Sequence, residues 1–215
     1  MHRPTPPSAV IFDLDGTLVD SLQDIAEAMN ECLRTFGLPD RPISDYRYLV
    51  GEGVPVLCQR VLTGANPHLL DALIQMVRSR YRERPLLHTR PYPGVAELVN
   101  RLRAAGVPLG VLSNKPDEMT RLVTREFWPD GVFGAVQGYV EEHLRKPDPT
   151  QLLRMCAALG ARPVSAWLVG DTPTDVETAA RAGVHSVAVT WGFRTREDLA
   201  AAGAVDIVDE PEQVF

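Results

Sequence analysis

The stretch Val10-Ile11-Phe12-Asp13-Leu14-Asp15-Gly16-Thr17-Leu18 runs three apolar residues directly into two carboxylates, and Gly-Thr then interrupts the run. A short apolar run ended by glycine is typical of a buried strand that delivers its last residues into a loop. Because side chains alternate along a strand, Asp13 and Asp15 face the same side if the extended backbone continues. Two neighbouring buried carboxylates are unfavourable without a cation between them, and oxygen ligands favour a hard ion such as Mg²⁺. The stretch therefore predicts a divalent-metal site at the end of a strand.

The local sequence leaves a second interpretation open. Asp-x-Asp-Gly segments also form Asx-turns in ordinary surface loops. A calcium loop of the EF-hand type is excluded because it requires further ligands at fixed spacing, whereas this chain becomes apolar again at Leu18-Val19.

Composition restricts the partners of the chain. The 215 residues include 45% hydrophobic and 23% charged residues, which is typical of a globular protein, and the net charge is −6. No dense block of lysine or arginine is present, so nucleic acid and an anionic membrane are not expected as main partners. An acidic chain can still bind phosphate groups, but only through a local metal and a few placed donors, and we expect the chain to be a monomer or a homodimer.

Three features predict a cytoplasmic location. Cys32, Cys58 and Cys156 are widely spaced and lack zinc-ligand spacing, which favours buried thiols in a reducing compartment. The start of the chain is rich in proline and has no apolar signal core, so residues 1–8 are predicted to form a flexible tail. No apolar run is long enough to span a bilayer.

The periodicity divides the chain into two parts. Helical spacing is predicted over 21–36, with Ser21 as N-cap, and over 55–62 and 67–81, with no convincing strand between Leu18 and Pro93. After Pro93, helices (94–105, 116–127, 149–159, 173–182) alternate with strands (107–112, 132–136, 166–169, 185–189, 205–208). This order predicts an α/β fold with a doubly wound, Rossmann-like parallel sheet, formed by 9–18 and 92–215, and an inserted all-helical cap over 19–91.

Polar clusters fall at the ends of four predicted strands or in the loops that follow them. Each has an ordinary explanation: Ser113-Asn114 as a helix N-cap, Lys146 as a solvated lysine, and Asp171 with Asp175 as a capping pair. Ligands of parallel sheets bind outside the carboxyl ends of the strands, which is where all of these clusters lie together with Asp13. The ordinary explanations do not account for that coincidence.

In these motifs the chain resembles the haloacid dehalogenase superfamily of phosphatases, in its branch with a helical cap after the first strand. The four matching motifs, in chain order, are Asp13-Leu14-Asp15-Gly16-Thr17, Leu112-Ser113-Asn114, Lys146-Pro147 and Gly170-Asp171 with Asp175. The resemblance covers essentially the whole chain after the tail.

Further stretches resemble the phosphoglycolate phosphatase branch of the superfamily, among them Val50-Gly51-Glu52-Gly53-Val54 and Ser113-Asn114-Lys115-Pro116. Capped phosphatases of sugar phosphates, nucleotides or pyrophosphate share several of them, and a β-phosphoglucomutase-like mutase shares the catalytic set. A phospho-aspartate receiver is disfavoured because it has no helical insertion after its first strand and its acceptor Asp lies on a later strand.

The resemblance implies a phosphate monoesterase that works through an aspartyl-phosphate. Asp13 would be the nucleophile, and Asp13, Asp171 and the backbone carbonyl of Asp15 would be ligands of Mg²⁺. The side chain of Asp15 would act as acid and base.

Other residues would hold the phosphoryl group. Lys146 would neutralise the nucleophile and a phosphoryl oxygen, and Ser113 and the Asn114 backbone N–H would bind equatorial oxygens. Asp175 would hold metal-bound water or Lys146 from behind. Glu52 on the cap could reach the substrate, although a solvated turn carboxylate is an equal alternative.

Overall fold

The computed structural model describes residues 6–63, 66–83 and 86–215, and its central feature is a parallel sheet. In the described part of the chain the sheet has six strands in the order β5-β4-β1-β6-β7-β8. The strands are β1 (Ala9–Phe12), β4 (Leu109–Pro116), β5 (Ala135–Tyr139), β6 (Ala166–Gly170), β7 (His185–Val189) and β8 (Ile207–Val208). The predicted doubly wound fold is confirmed.

Strand β1 lies inside the sheet, paired with β4 on one side and β6 on the other, and helices cover both of its faces. Val10 and Phe12 belong to a hydrophobic cluster with α5 (Val95–Ala104) and α6 (Asp117–Phe127). Ile11 faces the opposite layer, which contains α7 (Thr150–Ala158) and α8 (Pro173–Ala182). A strand buried on both faces is apolar throughout, which explains the run that precedes Asp13.

The cap lies between β1 and β4 in the chain and has its own hydrophobic cluster. Its helices are α1 (Leu22–Thr35), α2 (Tyr46–Leu49), α3 (Val54–Leu62) and α4 (Leu70–Glu83). Phe193, from the core loop after β7, is 2% exposed and packs into this cap cluster. The core therefore supplies part of the hydrophobic centre of the cap.

The absence of strands from the cap region was predicted wrongly. Val19–Asp20 (β2) and Arg90–Pro91 (β3) form a two-stranded antiparallel sheet. Two-residue strands have no periodicity that a sequence pattern can show. The pair joins the two chain segments that connect the cap to the core.

Most other predicted elements are present with boundaries shifted by one or two residues. The exceptions are the strand predicted over 132–136, which is β5 at Ala135–Tyr139, β4, which continues to Pro116, and the helix predicted over 67–81, since α4 begins at Leu70 after a short 3₁₀ helix at Pro67–Leu69. Two short helices, α2 and α9 (Arg196–Ala201), were not predicted. Most of the predicted tail lies outside the described residues, but Ser8 already bonds through its backbone N–H to the Ser165 carbonyl at 2.8 Å.

Two further expectations concern the cysteines and the membrane. Cys32, Cys58 and Cys156 are buried free thiols, as predicted. Over the described ranges, every helix is too short or too polar to cross a bilayer.

Candidate active site

The carboxyl ends of β1 and β6 bring two aspartates together. The strands are paired with Phe12 opposite Val169, so the residues that follow them are neighbours. The Asp13 backbone N–H donates to the Val169 carbonyl at 2.8 Å, and Asp171 follows the end of β6. Residues 158 positions apart in the chain are thus placed side by side by strand pairing alone.

Three buried carboxylates and one lysine form the centre of the site, called here the carboxyl cluster. Asp13, Asp171 and Asp175 each have a carboxylate oxygen within 4.8 Å of the others. Lys146 Nζ lies 2.9 Å from Asp13 Oδ1 and 2.6 Å from Asp175 Oδ1. One ammonium balances one of three potential negative charges, so the cluster is deficient in positive charge.

The pKa values of these groups show the deficiency. Burial raises the pKa of Asp13 to about 7, although Lys146 opposes the rise. Burial together with the charges of Asp13 and Asp175 raises the pKa of Asp171 to about 8. Burial alone would lower the pKa of Lys146, but the two carboxylates beside it raise it instead. An all-oxygen site with excess negative charge fits a hard divalent cation such as Mg²⁺.

Neutral donors hold the Asp171 carboxylate. In the described part of the chain, no cationic side chain lies within hydrogen-bonding distance of it. The Thr17 hydroxyl donates to its Oδ1 at 2.9 Å, and the Phe193 backbone N–H donates to its Oδ2 at 2.8 Å. A Cβ at Gly16, whose φ is +91°, would lie 2.3 Å from Asp171 Oδ2. The glycine of the first motif is therefore required both by its backbone conformation and by the approach of Asp171.

Asp175 both caps a helix and contacts Lys146, the two roles that the sequence left as alternatives. Its Oδ2 accepts hydrogen bonds from the Thr172 backbone N–H at 3.1 Å and the Thr172 hydroxyl at 2.6 Å, at the start of α8. Its Oδ1 accepts from Lys146. The helix cap thereby fixes the carboxylate that orients the lysine.

The Asp15 side chain is held away from the carboxyl cluster by two donors. Ser21 donates to its Oδ1 at 2.6 Å, so the predicted N-cap serine uses its hydroxyl here instead of capping α1. Lys115 Nζ lies 2.8 Å from Oδ1 and 2.7 Å from Oδ2. The predicted metal contact of Asp15 through its backbone carbonyl stays a prediction.

Lys115 is the site residue that sequence reasoning missed. Its side chain is 3% exposed and lies on the wall of the active-site cavity. A signal was present, because the chain contains only two lysines, Lys115 and Lys146, and uses arginine for every other basic side chain except histidine. Both lysines are buried in this site.

Ser113 and Asn114 line the same cavity, although not as the helix cap that was one alternative, since α6 begins after Pro116 without a side-chain cap. Asn114 Nδ2 donates to the Lys146 carbonyl at 2.9 Å, and the Lys146 backbone N–H donates to Asn114 Oδ1 at 2.8 Å. The amide thus fixes the backbone from which the lysine side chain extends.

The cap loop 50–53 is bound to the core through three consecutive carbonyls. The carbonyl of Val50 accepts from Arg194 Nη2 at 3.0 Å, that of Gly51 from Asn114 Nδ2 at 3.1 Å, and that of Glu52 from Arg145 Nη1 at 2.7 Å. The donors come from three different segments of the core: Asn114 lies on β4, Arg145 precedes α7, and Arg194 follows β7. We call this set of hydrogen bonds the carbonyl latch.

The Glu52 side chain is directed elsewhere. It pairs with Arg60 of the cap and does not line the cavity, whereas its neighbours Gly51 and Gly53 do. Its predicted contact with substrate is not seen in this arrangement and stays a prediction.

A cavity of about 270 Å³ lies between the core and the cap. The core side contributes Asp13, Asp15, Ser113, Asn114 and Lys115. The cap side is mostly apolar, with two arginines and a tyrosine: Ile25, Ala28, Val50, Val54, Leu57, Val77, Arg78, Tyr81 and Arg82. The cavity can hold a small ester whose reacting group faces Asp13.

Comparison with known proteins agrees with the family resemblance of the sequence motifs. The family profile of haloacid dehalogenase-like hydrolases matches residues 10–189. The phosphoglycolate phosphatase of Rhodospirillum rubrum is 35% identical over 213 residues, covering 95% of this chain and 88% of the relative. That of Aquifex aeolicus is 33% identical over 184 residues, covering 86% and 85%.

A solved structure agrees with the fold of both parts. The crystal structure of a predicted phosphoglycolate phosphatase from Haemophilus somnus has a TM-score of 0.88 at 28% identity, covering 98% of this chain and 97% of that one. The chain belongs to the haloacid dehalogenase-like hydrolases, and within them it is similar to phosphoglycolate phosphatases.

Proposed function

We propose that this protein is a Mg²⁺-dependent phosphatase that hydrolyses a small phosphate monoester, 2-phosphoglycolate, through an aspartyl-phosphate. The observation that supports it most is the position of Asp13. Its carboxylate lies on the cavity wall, beside Asp171 and in contact with the Lys146 ammonium. A carboxylate nucleophile for phosphorus requires this combination of access and nearby positive charge.

In the proposed reaction, the Asp13 carboxylate attacks phosphorus and displaces the alkoxide. Lys146 holds Asp13 and neutralises a phosphoryl oxygen, while Asp175 and Asn114 fix the lysine at its two ends. Asp13 and Asp171 would hold Mg²⁺, which supplies charge neutralisation between the anionic nucleophile and the phosphate. Water then attacks the phosphorus of the aspartyl-phosphate and regenerates Asp13.

Asp15 is proposed to move the protons. It lies two residues after the nucleophile, lines the cavity and is held by Ser21 and Lys115. In the first step it would protonate the leaving alkoxide, and in the second it would accept a proton from the attacking water. The Ser113 hydroxyl and the Asn114 backbone N–H would bind the equatorial oxygens, where charge develops.

The choice of 2-phosphoglycolate rests on the relatives, since phosphoglycolate phosphatases at 33% and 35% identity cover most of the chain. Other sugar phosphates, nucleotides, pyrophosphate and a mutase reaction are the alternatives to test. A location in the cytoplasm and a monomeric or homodimeric state remain predictions.

The direct experiment is a phosphate-release assay with purified protein and a panel of esters containing 2-phosphoglycolate, glucose phosphates, nucleotides and pyrophosphate. We expect 2-phosphoglycolate to have the highest kcat/KM, EDTA to stop release, and Mg²⁺ to restore it. Isomer formation from a sugar phosphate without net phosphate release would indicate a mutase. Phosphate release that is unaffected by chelator would contradict the metal assignment.

A further inference from the structure

The cap wall of the cavity is mostly apolar but includes two arginine side chains. Helix α4 presents Arg78, Tyr81 and Arg82 to the cavity at spacings of three and four residues, which places them on one helix face. Lys115 faces them from the core. Arg78 is 3.6 Å from Glu142 and Arg82 is 3.5 Å from Glu118, but neither glutamate lines the cavity.

The Tyr81 hydroxyl is a buried polar group whose hydrogen-bonding capacity is not satisfied by the described residues. The residue is 8% exposed, and its hydroxyl has no hydrogen-bond partner of normal geometry among the described residues. The Lys115 ammonium lies 4.6 Å from the centroid of its ring. A buried hydroxyl without a partner is rare and unfavourable, so its position at the cavity wall points to a bound ligand.

Lys115 has a donor to spare as well. An ammonium carries three N–H donors, and its two contacts with the oxygens of Asp15 occupy at most two of them. The Lys115 ammonium lies beside both Tyr81 and Asp15, and the side chains of Lys115 and Tyr81 line the same cavity as Asp13. A carboxylate has two acceptor oxygens, which is the number that this pair can serve.

We propose that Lys115 and Tyr81 bind a carboxylate on the leaving portion of the substrate and so select esters with an anionic leaving group. This inference rests on the proposed phosphatase function, which it deepens by naming the residues that recognise the alcohol. Tyr81 donates to one carboxylate oxygen and Lys115 to the other, while the phosphoryl group lies at Asp13.

The test compares two esters of the same length. The first is 2-phosphoglycolate, and the second is 2-hydroxyethyl phosphate, in which a neutral CH₂OH replaces the carboxylate. Tyr81→Phe removes only the hydroxyl, which lies beside the Lys115 ammonium but makes no hydrogen bond of normal geometry with a described residue. We expect kcat/KM for 2-phosphoglycolate to fall about tenfold or more, as for a lost hydrogen bond to a charged group, while that for the neutral ester changes by less than about twofold.

A second variant and a control complete the experiment. Lys115→Met slows both esters because Asp15 loses its partner, but it lowers the preference for the carboxylate further. Tyr48→Phe, at an exposed tyrosine of the cap, keeps the wild-type preference. Two results would overturn this inference and leave the proposed function intact. One is an equal loss of kcat/KM for both esters in Tyr81→Phe and Lys115→Met, and the other is a wild-type protein that does not prefer the carboxylate ester. Failure to release phosphate from any ester would instead overturn the proposed function and this inference with it.

Discussion

At the scale of single residues, the site depends on buried charges that only the fold can pair. Asp13, Asp171 and Asp175 are each less than 9% exposed, and Lys146 is 5% exposed. Isolated buried charges of this kind are strongly unfavourable, so each needs a partner or a bound ion. The carboxyl cluster therefore lowers the stability of the metal-free chain, and the proposed Mg²⁺ would relieve this cost.

The first prediction concerns the nucleophile. Asp13→Asn should lower kcat for phosphate release by at least about a thousandfold, because an amide cannot form the aspartyl-phosphate. Asp45→Asn, at an exposed cap aspartate, is the matched control and should retain wild-type kcat. A folded Asp13→Asn protein with substantial turnover would defeat the assignment.

The second prediction concerns the lysine of the carboxyl cluster. Lys146→Met removes the ammonium that contacts Asp13 and Asp175, so kcat should fall about 10²–10³-fold, as for other lost charge-stabilising donors. Steady-state kinetics would measure this, and circular dichroism would verify the fold. A loss below tenfold in a folded variant would mean that the lysine is structural.

Sequence reasoning succeeded for residues whose position follows from strand order. Asp13 and Asp171 could be brought together on paper because parallel strands end at one edge of the sheet. Lys115 could not be found in this way, since the sequence placed it in a loop after the predicted strand, where a lysine is usually solvated, and its pairing with Asp15 spans 100 positions of the chain. The direction of the Glu52 side chain is decided by Arg60, eight residues further along the cap on α3, which no motif encodes.

At the scale of elements, the helices and strands that could be placed from the sequence were those whose buried apolar residues form a clear pattern. Helices with one apolar face, such as α1 and α8, were placed to within one or two residues because their core-facing positions recur with helical spacing. Strand β5 was shifted because Val132 and Phe133 are buried loop residues, whereas the edge strand itself contains Gln137 and Gly138. An edge strand is covered less and shows a weaker apolar signal.

The carbonyl latch gives a prediction at this scale. Arg145→Met removes the donor to the Glu52 carbonyl, so the loop 50–53 should open more often and its amides should exchange with deuterium several-fold faster. Because the cap wall of the cavity includes this loop, kcat/KM should fall as well. Hydrogen exchange by mass spectrometry would measure the first effect.

The control for the latch is Arg125→Met. Arg125 lies in the last turn of α6 and is 70% exposed, and its ion pair among the described residues is with Asp130 at 3.7 Å. Its exchange pattern at 50–53 and its kinetics should match the wild type. Unchanged exchange at 50–53 in Arg145→Met would show that the latch does not hold the cap.

At the scale of the whole molecule, cap and core are joined by the same loops that carry the chemistry. Phe193 packs into the cap cluster while its backbone N–H holds Asp171. Asn114 bonds to the cap loop and to the backbone of Lys146. Closure of the cap and alignment of the active site are therefore expected to be coupled.

Metal binding should stabilise the whole protein in a pH-dependent way. Without metal, burial raises the pKa of Asp13 to about 7 and that of Asp171 to about 8. A raised carboxyl pKa means that the folded state retains a proton that the unfolded chain releases, so this contribution to stability is lost as pH rises through about 7–8. Mg²⁺ must displace these protons, so its affinity should increase over the same range.

The prediction is measured as the increase in Tm produced by about 5 mM Mg²⁺, which should be larger at about pH 8.5 than at about pH 6. Asp171→Asn should abolish most of the increase at both values. An increase that is the same at both pH values, or that persists in Asp171→Asn, would place the ion elsewhere.

The central claim is that phosphorus passes through the Asp13 carboxylate, and rapid chemical quench tests it most directly. Protein with Asp15→Asn, mixed with Mg²⁺ and ³²P-labelled 4-nitrophenyl phosphate, whose leaving group needs no proton in the first step, and quenched in acid, should accumulate label because the second step lacks its base. We predict that the label is released by hydroxylamine and maps to the peptide that contains Asp13. Label on a different peptide, or phosphate release at the wild-type rate with no labelled protein, would contradict the account.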